Sequence, residues 1–150
     1  MKKSYFETKI NTVSSGDSVA TPTHITKAIR KEFGKFWDPV PLKKWKKGDP
    51  DALEMSWKKV NYVNPPYSKT MAFMKKAHAE WKLKKTVILL VRLSSLASQY
   101  FKLLKGAEIR ILSNHLKFKG YSWTAPFGSV LVIYRAGKRS SKYSVVEMKP

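Results

Sequence analysis

Apolar positions recur along the chain with two periods. Near the start, Ile25, Ala28, Ile29 and Phe33 follow one another at helical spacing. Thr21-Pro22 precedes them, threonine suiting the N-cap and proline the first helical position, and Gly34 suits the stop. Phe36-Trp37 reads as a short strand broken by Asp38-Pro39, and 40–59 as a loop with a turn at Lys47-Gly48-Asp49-Pro50. Val60-Asn61-Tyr62-Val63 predicts a strand running into Asn64-Pro65-Pro66-Tyr67. A helix over 69–84 follows, with Phe73, Met74, Ala77 and Trp81 apolar and His78 on the polar side. Val87 to Val91 is continuously apolar, as a strand covered on both faces requires. Ala97, Tyr100, Phe101 and Leu104 align on a further helix ending at Gly106. Glu108–Leu112 and Val130–Tyr134 are the last strands, joined by a loop carrying Phe118, Tyr121, Trp123 and Phe127. Residues 1–20 read as an arm and 138–150 as a basic, mobile tail. The domain is then 21–137, an α/β unit whose alternating elements predict a mostly parallel sheet with flanking helices.

A chain of 150 residues suits one domain of this kind. No apolar run approaches the roughly 18 residues of a membrane span. The basic start, Met1-Lys2-Lys3, lacks the apolar segment of a secretory signal. The sequence has no cysteine, which excludes disulfides, thiolate catalysis and cysteine-ligated zinc. These features predict an intracellular protein without a membrane partner. The charge adds a partner class: 30 Lys+Arg against 10 Asp+Glu leave +20, which favours a polyanion such as nucleic acid. Lysine dominates, which suits point-charge contacts to phosphate better than bidentate reading of bases.

The chemistry concentrates in Asn64-Pro65-Pro66-Tyr67. Two prolines directly after a strand stiffen the turn and remove two backbone N–H donors, so it presents carbonyls. An adenine amine is a poor nucleophile because its lone pair is delocalised into the ring. The Asn64 amide oxygen and the Pro65 carbonyl suit its two hydrogens, and would stabilise positive charge growing on the nitrogen. Tyr67 suits stacking on a base taken out of its helix. The competing reading is a rigid strand-to-helix connector capped by Ser68. Position favours function, because open α/β sheets bind ligands at the carboxyl ends of their strands.

The order of several short motifs resembles phage-type, Dam-like DNA N6-adenine methyltransferases. These are Thr21-Pro22, Phe33-Gly34-x-Phe36-x-Asp38-Pro39, Asp51-Ala52-Leu53 with Trp57, and Asn64-Pro65-Pro66-Tyr67-Ser68. Arg92, Leu116-Lys117-Phe118 and Ala125-Pro126-Phe127 continue the likeness, which spans about 20–136. The resemblance implies a truncated Rossmann-like methyltransferase fold, S-adenosylmethionine as methyl donor, and a phage or viral source, hence host cytoplasm or nucleus. It implies Asn64, Pro65, Pro66 and Tyr67 as catalytic. Thr21, Pro22, Asp38, Pro39, Asp51 and Leu53 would meet the cofactor, although Asp38 also suits a turn cap. Ser68, Lys69, Arg92, Lys117 and Lys119 would meet nucleic acid. A Gly-x-Gly cofactor loop is absent, and Ala52 stands where glycine is more usual.

Other groups carry less. His24, His78 and His115 lack metal-ligand spacing, so no metal is expected. Ser94, Ser95 and Ser98 have no evident base. Lys43-Lys44-x-Lys46-Lys47, the lysines of 75–85, and Lys117 with Lys119 suit phosphate in part and a solvated face otherwise. The expected activity is methyl transfer to adenine N6, in DNA rather than RNA. The alternatives are a non-catalytic nucleic-acid-binding derivative and an RNA adenine methyltransferase.

Overall fold

The computed structural model describes residues 19–41, 47–97 and 101–149. Helix α1 spans Thr23–Phe33 and strand β1 Val60–Val63. A 3-10 turn over Tyr67–Lys69 leads into α2 (Thr70–Lys82), then β2 (Thr86–Arg92). A second 3-10 turn (Leu93–Ala97) and the short α3 (Phe101–Leu104) precede β3 (Glu108–Leu112), β4 (Ser129–Tyr134) and β5 (Tyr143–Val146).

The five strands form one sheet in the order β1-β2-β4-β3-β5. β1 pairs with β2, and β3 with β5, in parallel. β4 lies antiparallel between β2 and β3, so the sheet is mixed and not mostly parallel as expected. The cause is the connection from β3 to β4. Its apolar residues sit in a loop rather than a crossover helix, and without a crossover the chain returns antiparallel. All six β4 residues are buried, as a central strand requires.

Each sheet face is covered. On one, Phe73, Met74, Ala77 and Trp81 of α2 pack with Val63, Leu89 and Val132, and Trp57 and Ala52 of the long connection join them. On the other, Ile25 and Ile29 of α1 pack with Tyr62, Ile88 and Ile133, and Leu116 and Phe118 complete the layer. Among the described residues no helix is long and apolar enough to cross a membrane.

Several expectations shift locally. α1 starts at Thr23, and Pro22 rather than Thr21 takes the N-cap position, because the Thr21 hydroxyl is engaged elsewhere. Gly34 closes the helix at φ 79°, donating its N–H to the Arg30 carbonyl. The Phe36-Trp37 strand shrinks to a single bridge between Trp37 and Asn61. His78, expected on the polar side of its helix, is half-buried, its ring 5.5 Å from Trp81 and 5.9 Å from Tyr134. Of the helix expected around 97–104, Ala97 ends the 3-10 turn and Phe101–Leu104 forms α3, while 98–100 lie outside the described residues. Sheet pairing continues beyond 137: Tyr143–Val146, in the expected tail, aligns with Ile109–Leu112. Its alternating exposure is that of an edge strand, which a loosely patterned tail sequence conceals.

Candidate adenine-methylation site

The carboxyl ends of β1 and β2 place Asn64 and Arg92 at one edge of the sheet. Ser129, opposite Arg92 in β4, brings the end of the aromatic loop to the same edge. Leu93 N–H is hydrogen-bonded to the Gly128 carbonyl at 2.9 Å, and Ala125 N–H to the Leu116 carbonyl at 2.8 Å. Lys119 N–H reaches the Ala20 carbonyl, which ties the loop to the segment entering α1.

Asn64 is held by its amide nitrogen. Nδ2 donates to the Val19 carbonyl at 2.8 Å and to the Thr21 hydroxyl at 3.1 Å. A carbonyl only accepts, so the orientation of the amide is fixed. Both amide hydrogens are spent, and Oδ1 has no hydrogen-bond partner among the described residues. Thr21 Oγ1 also lies 2.6 Å from the Tyr62 hydroxyl. Burial pushes that phenol well above its ordinary range, with Asp38's charge adding to the rise and the Thr21 bond opposing it. Tyr62 is therefore a neutral strut beneath Thr21 and Asn64. Its ring packs 5.3 Å from Phe36, which carries the Arg30 guanidinium at 4.6 Å.

Next to this strut is a cavity of about 230 Å³ lined by aromatic rings and Arg92. Tyr67 and Phe127 meet edge to face at 5.4 Å. The Arg92 guanidinium stacks on both, 3.8 Å from the Tyr67 ring and 4.2 Å from Phe127. Its Nε is buried and has no hydrogen-bond partner among the described residues. Phe118, Tyr121 and Trp123 continue the wall. Phe118 is buried and Trp123 62% exposed, so the loop both packs and offers a ring to solvent. Val19 also lines this cavity, linking it to the residue that holds Asn64.

The other expected site residues are distributed as follows. Pro65 and Pro66 are buried beneath the turn, Ser68 is exposed, and Lys69 is half-buried. Asp38 Oδ1 accepts the Val40 N–H at 2.8 Å, and Asp51 Oδ1 accepts the Leu53 N–H at 2.9 Å. Both carboxylates thus shape their own turns. Trp37, Val40, Ala52 and Leu53 pack in the same core as Val63, so both turns lie on the α2 side of the sheet. Pro39 is buried there. Thr21 and Pro22 lie on the opposite side, and Thr21 meets Asn64 directly. Lys117 and Lys119 are exposed on the aromatic loop. Lys43, Lys44 and Lys46 lie outside the described residues, and Lys47 is exposed. No group of three or more histidine or acidic residues that could hold a metal occurs among the described residues.

Sequence reasoning missed the Val19–Asn64–Thr21–Tyr62 chain. Only the alternation of Val60–Val63, which turns Tyr62 to the α1 face, pointed toward it.

The model of the family described as DNA N-6-adenine-methyltransferase (Dam) matches residues 8–148. No curated protein matches the sequence. The match takes in every element of the sheet, the Asn64–Tyr67 turn and the aromatic loop. The chain belongs to the Dam family of DNA N-6-adenine-methyltransferases.

Proposed function

We propose that this chain transfers a methyl group from S-adenosylmethionine to the N6 amine of adenine in DNA, using Asn64 as the acceptor that orients the amine. The observation carrying this reading is the fixed Asn64 amide. Two hydrogen bonds through Nδ2 aim the group, and Oδ1 remains available to accept from an incoming amine. The Pro65 carbonyl suits the second amine hydrogen, because neither proline adds an N–H that would compete for the site. As the nitrogen forms its new bond it becomes positive, and the two oxygens stabilise that charge with no reorganisation. The proton then leaves to water.

The base itself suits the aromatic cavity. Adenine extruded from a duplex loses its stacking, and Tyr67, Phe127 and the Arg92 plane replace it. A buried Arg92 Nε–H also gives a donor for an acceptor on the ligand.

The residues present fit a cationic, adenosine-bearing donor. Asp38 and Asp51 are carboxylates fixed by backbone N–H groups, suited to an ammonium and to ribose hydroxyls. Half-buried Trp37, Leu53 and Met55 beside them suit an adenine ring. When bound, S-adenosylmethionine would supply an electrophilic methyl group on a sulfonium, whose methyl–sulfur bond breaks with its electron pair left on the demethylated thioether.

The test is transfer of labelled methyl from S-adenosylmethionine to DNA and to RNA, followed by nucleoside analysis. N6-methyladenosine in its deoxy form is expected. Label confined to RNA, or binding of DNA without transfer, would overturn the reading.

A further inference from the structure

The positive charge is not concentrated at the methylation edge. Register places Tyr134 opposite Val87, so 135–139 lie beyond the amino end of β2, at the other edge of the sheet. Seven residues of β2 separate the two edges, about 20 Å at the rise of an extended strand. A cavity of about 590 Å³ opens there between the ends of α2 and α3 and the β4–β5 connection. Lys82, Lys84, Lys102, Lys105, Lys138 and Arg139 rim it. A second cavity of about 450 Å³ shares Lys105 and Arg139 with the first, and continues past Ser140 and Ser141 to Tyr143. Tyr143 is 63% exposed. No carboxylate lines either cavity among the described residues.

Lys82, Lys84, Lys102, Lys138 and Arg139 form no ion pair among the described residues. Glu80, the acid on the adjoining turn of α2, is held by Lys76 and Lys85. The floor is rigid: Trp81 Nε1 donates to the Arg135 carbonyl at 2.8 Å, and Arg139 sits 5.7 Å above the indole. Burial, together with the charges of Lys82 and Arg139, holds His78 in that floor below the ordinary imidazole range.

We infer that this continuous groove is a second nucleic-acid site, binding the phosphodiester backbone of a segment other than the one presenting adenine. Two joined, open cavities fit a polymer better than a single small anion. The spaced lysines and serine hydroxyls match successive phosphates, and Tyr143 offers a stacking surface. The groove lies beyond the amino end of β2 and the aromatic cavity beyond its carboxyl end, so the two open at opposite ends of the sheet and engage separate segments.

Amine-reactive labelling of the intact protein, free and saturated with a 30-bp random duplex, tests the inference. Lys82, Lys102 and Lys138 are expected to be protected by DNA. Equal labelling in both states overturns it, and so does equal protection by inorganic phosphate at low millimolar concentration. The variant K82Q/K102Q/K138Q provides an independent arm, because these lysines are exposed and form no ion pair among the described residues. It should lower the slope of log affinity against log salt by about 2.7, if three phosphate contacts are lost. It should also lose the capacity of wild type to bridge two differently labelled duplexes. An unchanged slope with bridging retained would overturn the assignment.

Discussion

At the residue scale, Asn64 Oδ1 is the atom on which the proposed chemistry depends. Asn64→Ala removes an acceptor at a centre where positive charge develops. By analogy with loss of an oxyanion donor, the cost is about 2.7–4 kcal/mol, or 10²–10³ in rate. DNA affinity should change little, so single-turnover rate and equilibrium binding measured together distinguish the acceptor from a mere connector. Activity within a few-fold of wild type would contradict the role. Thr21→Val probes the support. The valine fills the same space but removes the hydroxyl shared by Asn64 and the buried Tyr62 phenol. Losing the restraint on Asn64 should slow transfer about tenfold, equivalent to roughly 1.4 kcal/mol, and an unsatisfied phenol should cost about 1–3 kcal/mol of stability. Tyr62→Phe in the same background should recover part of the stability and none of the rate. Arg92 makes a different prediction. Its flat guanidinium covers two rings, which an ammonium cannot do, so Arg92→Lys should raise KM for DNA more than it lowers kcat.

At the element scale, a charge cluster fastens α1 to the sheet. Glu32 of α1 accepts from Arg110 of β3 and Arg135 after β4, and both arginines also reach Glu108. The Arg110 hydrogen bond, opposed by burial and joined by Arg135, lowers the Glu32 carboxyl from 4.5 to about 2. A depressed carboxyl stabilises the fold fully above its unfolded value and loses that contribution as pH falls. Stability should therefore decline between about pH 4.5 and 2, and Glu32→Gln should flatten that part of a denaturation profile. A profile identical to wild type would mean the cluster is not formed in solution.

Little of this cluster was legible, because its partners are separated by 78 and 103 residues and a charge pattern does not pair itself. What could be read was local. Four strands and two long helices followed from apolar spacing, and Asn64–Tyr67 from its two prolines at a strand end. The direction of β4 was not legible. An apolar run such as Val130–Tyr134 has the same composition whichever way it enters the sheet. The Tyr143–Val146 strand was hidden for a related reason: an edge strand with two exposed side chains has no apolar run to betray it. Thr21 was misread because its composition fits a helix cap equally well, and only the fold brings Tyr62 and Asn64 to its hydroxyl.

At the scale of the whole molecule, charge and chemistry are separable properties. Among the described residues, Lys82, Lys102 and Lys138 lie at one end of the sheet and Arg92, Lys117 and Lys119 toward the other, whereas the proposed acceptor and aromatic cavity occupy only the latter. Phosphate contacts made by lysine are long-ranged, salt-sensitive and indifferent to sequence, and discrimination then falls to the cavity that receives the base. DNA affinity should accordingly fall steeply with salt and vary little among sequences. With six phosphates neutralised, log affinity against log salt should have a slope of roughly −5 for duplex DNA. Lys117 and Lys119 are exposed on the loop that bears the cavity wall. Replacing both with alanine should reduce the slope by about 1.8 if each meets one phosphate. The same variant should lose rate at low DNA concentration and regain it at saturation, because Asn64 and its supports are untouched. Titrations at several salt concentrations, paired with saturating single-turnover rates, measure the two quantities independently. A slope near zero, or tight binding confined to one long sequence, would show that the charge does not serve the DNA backbone.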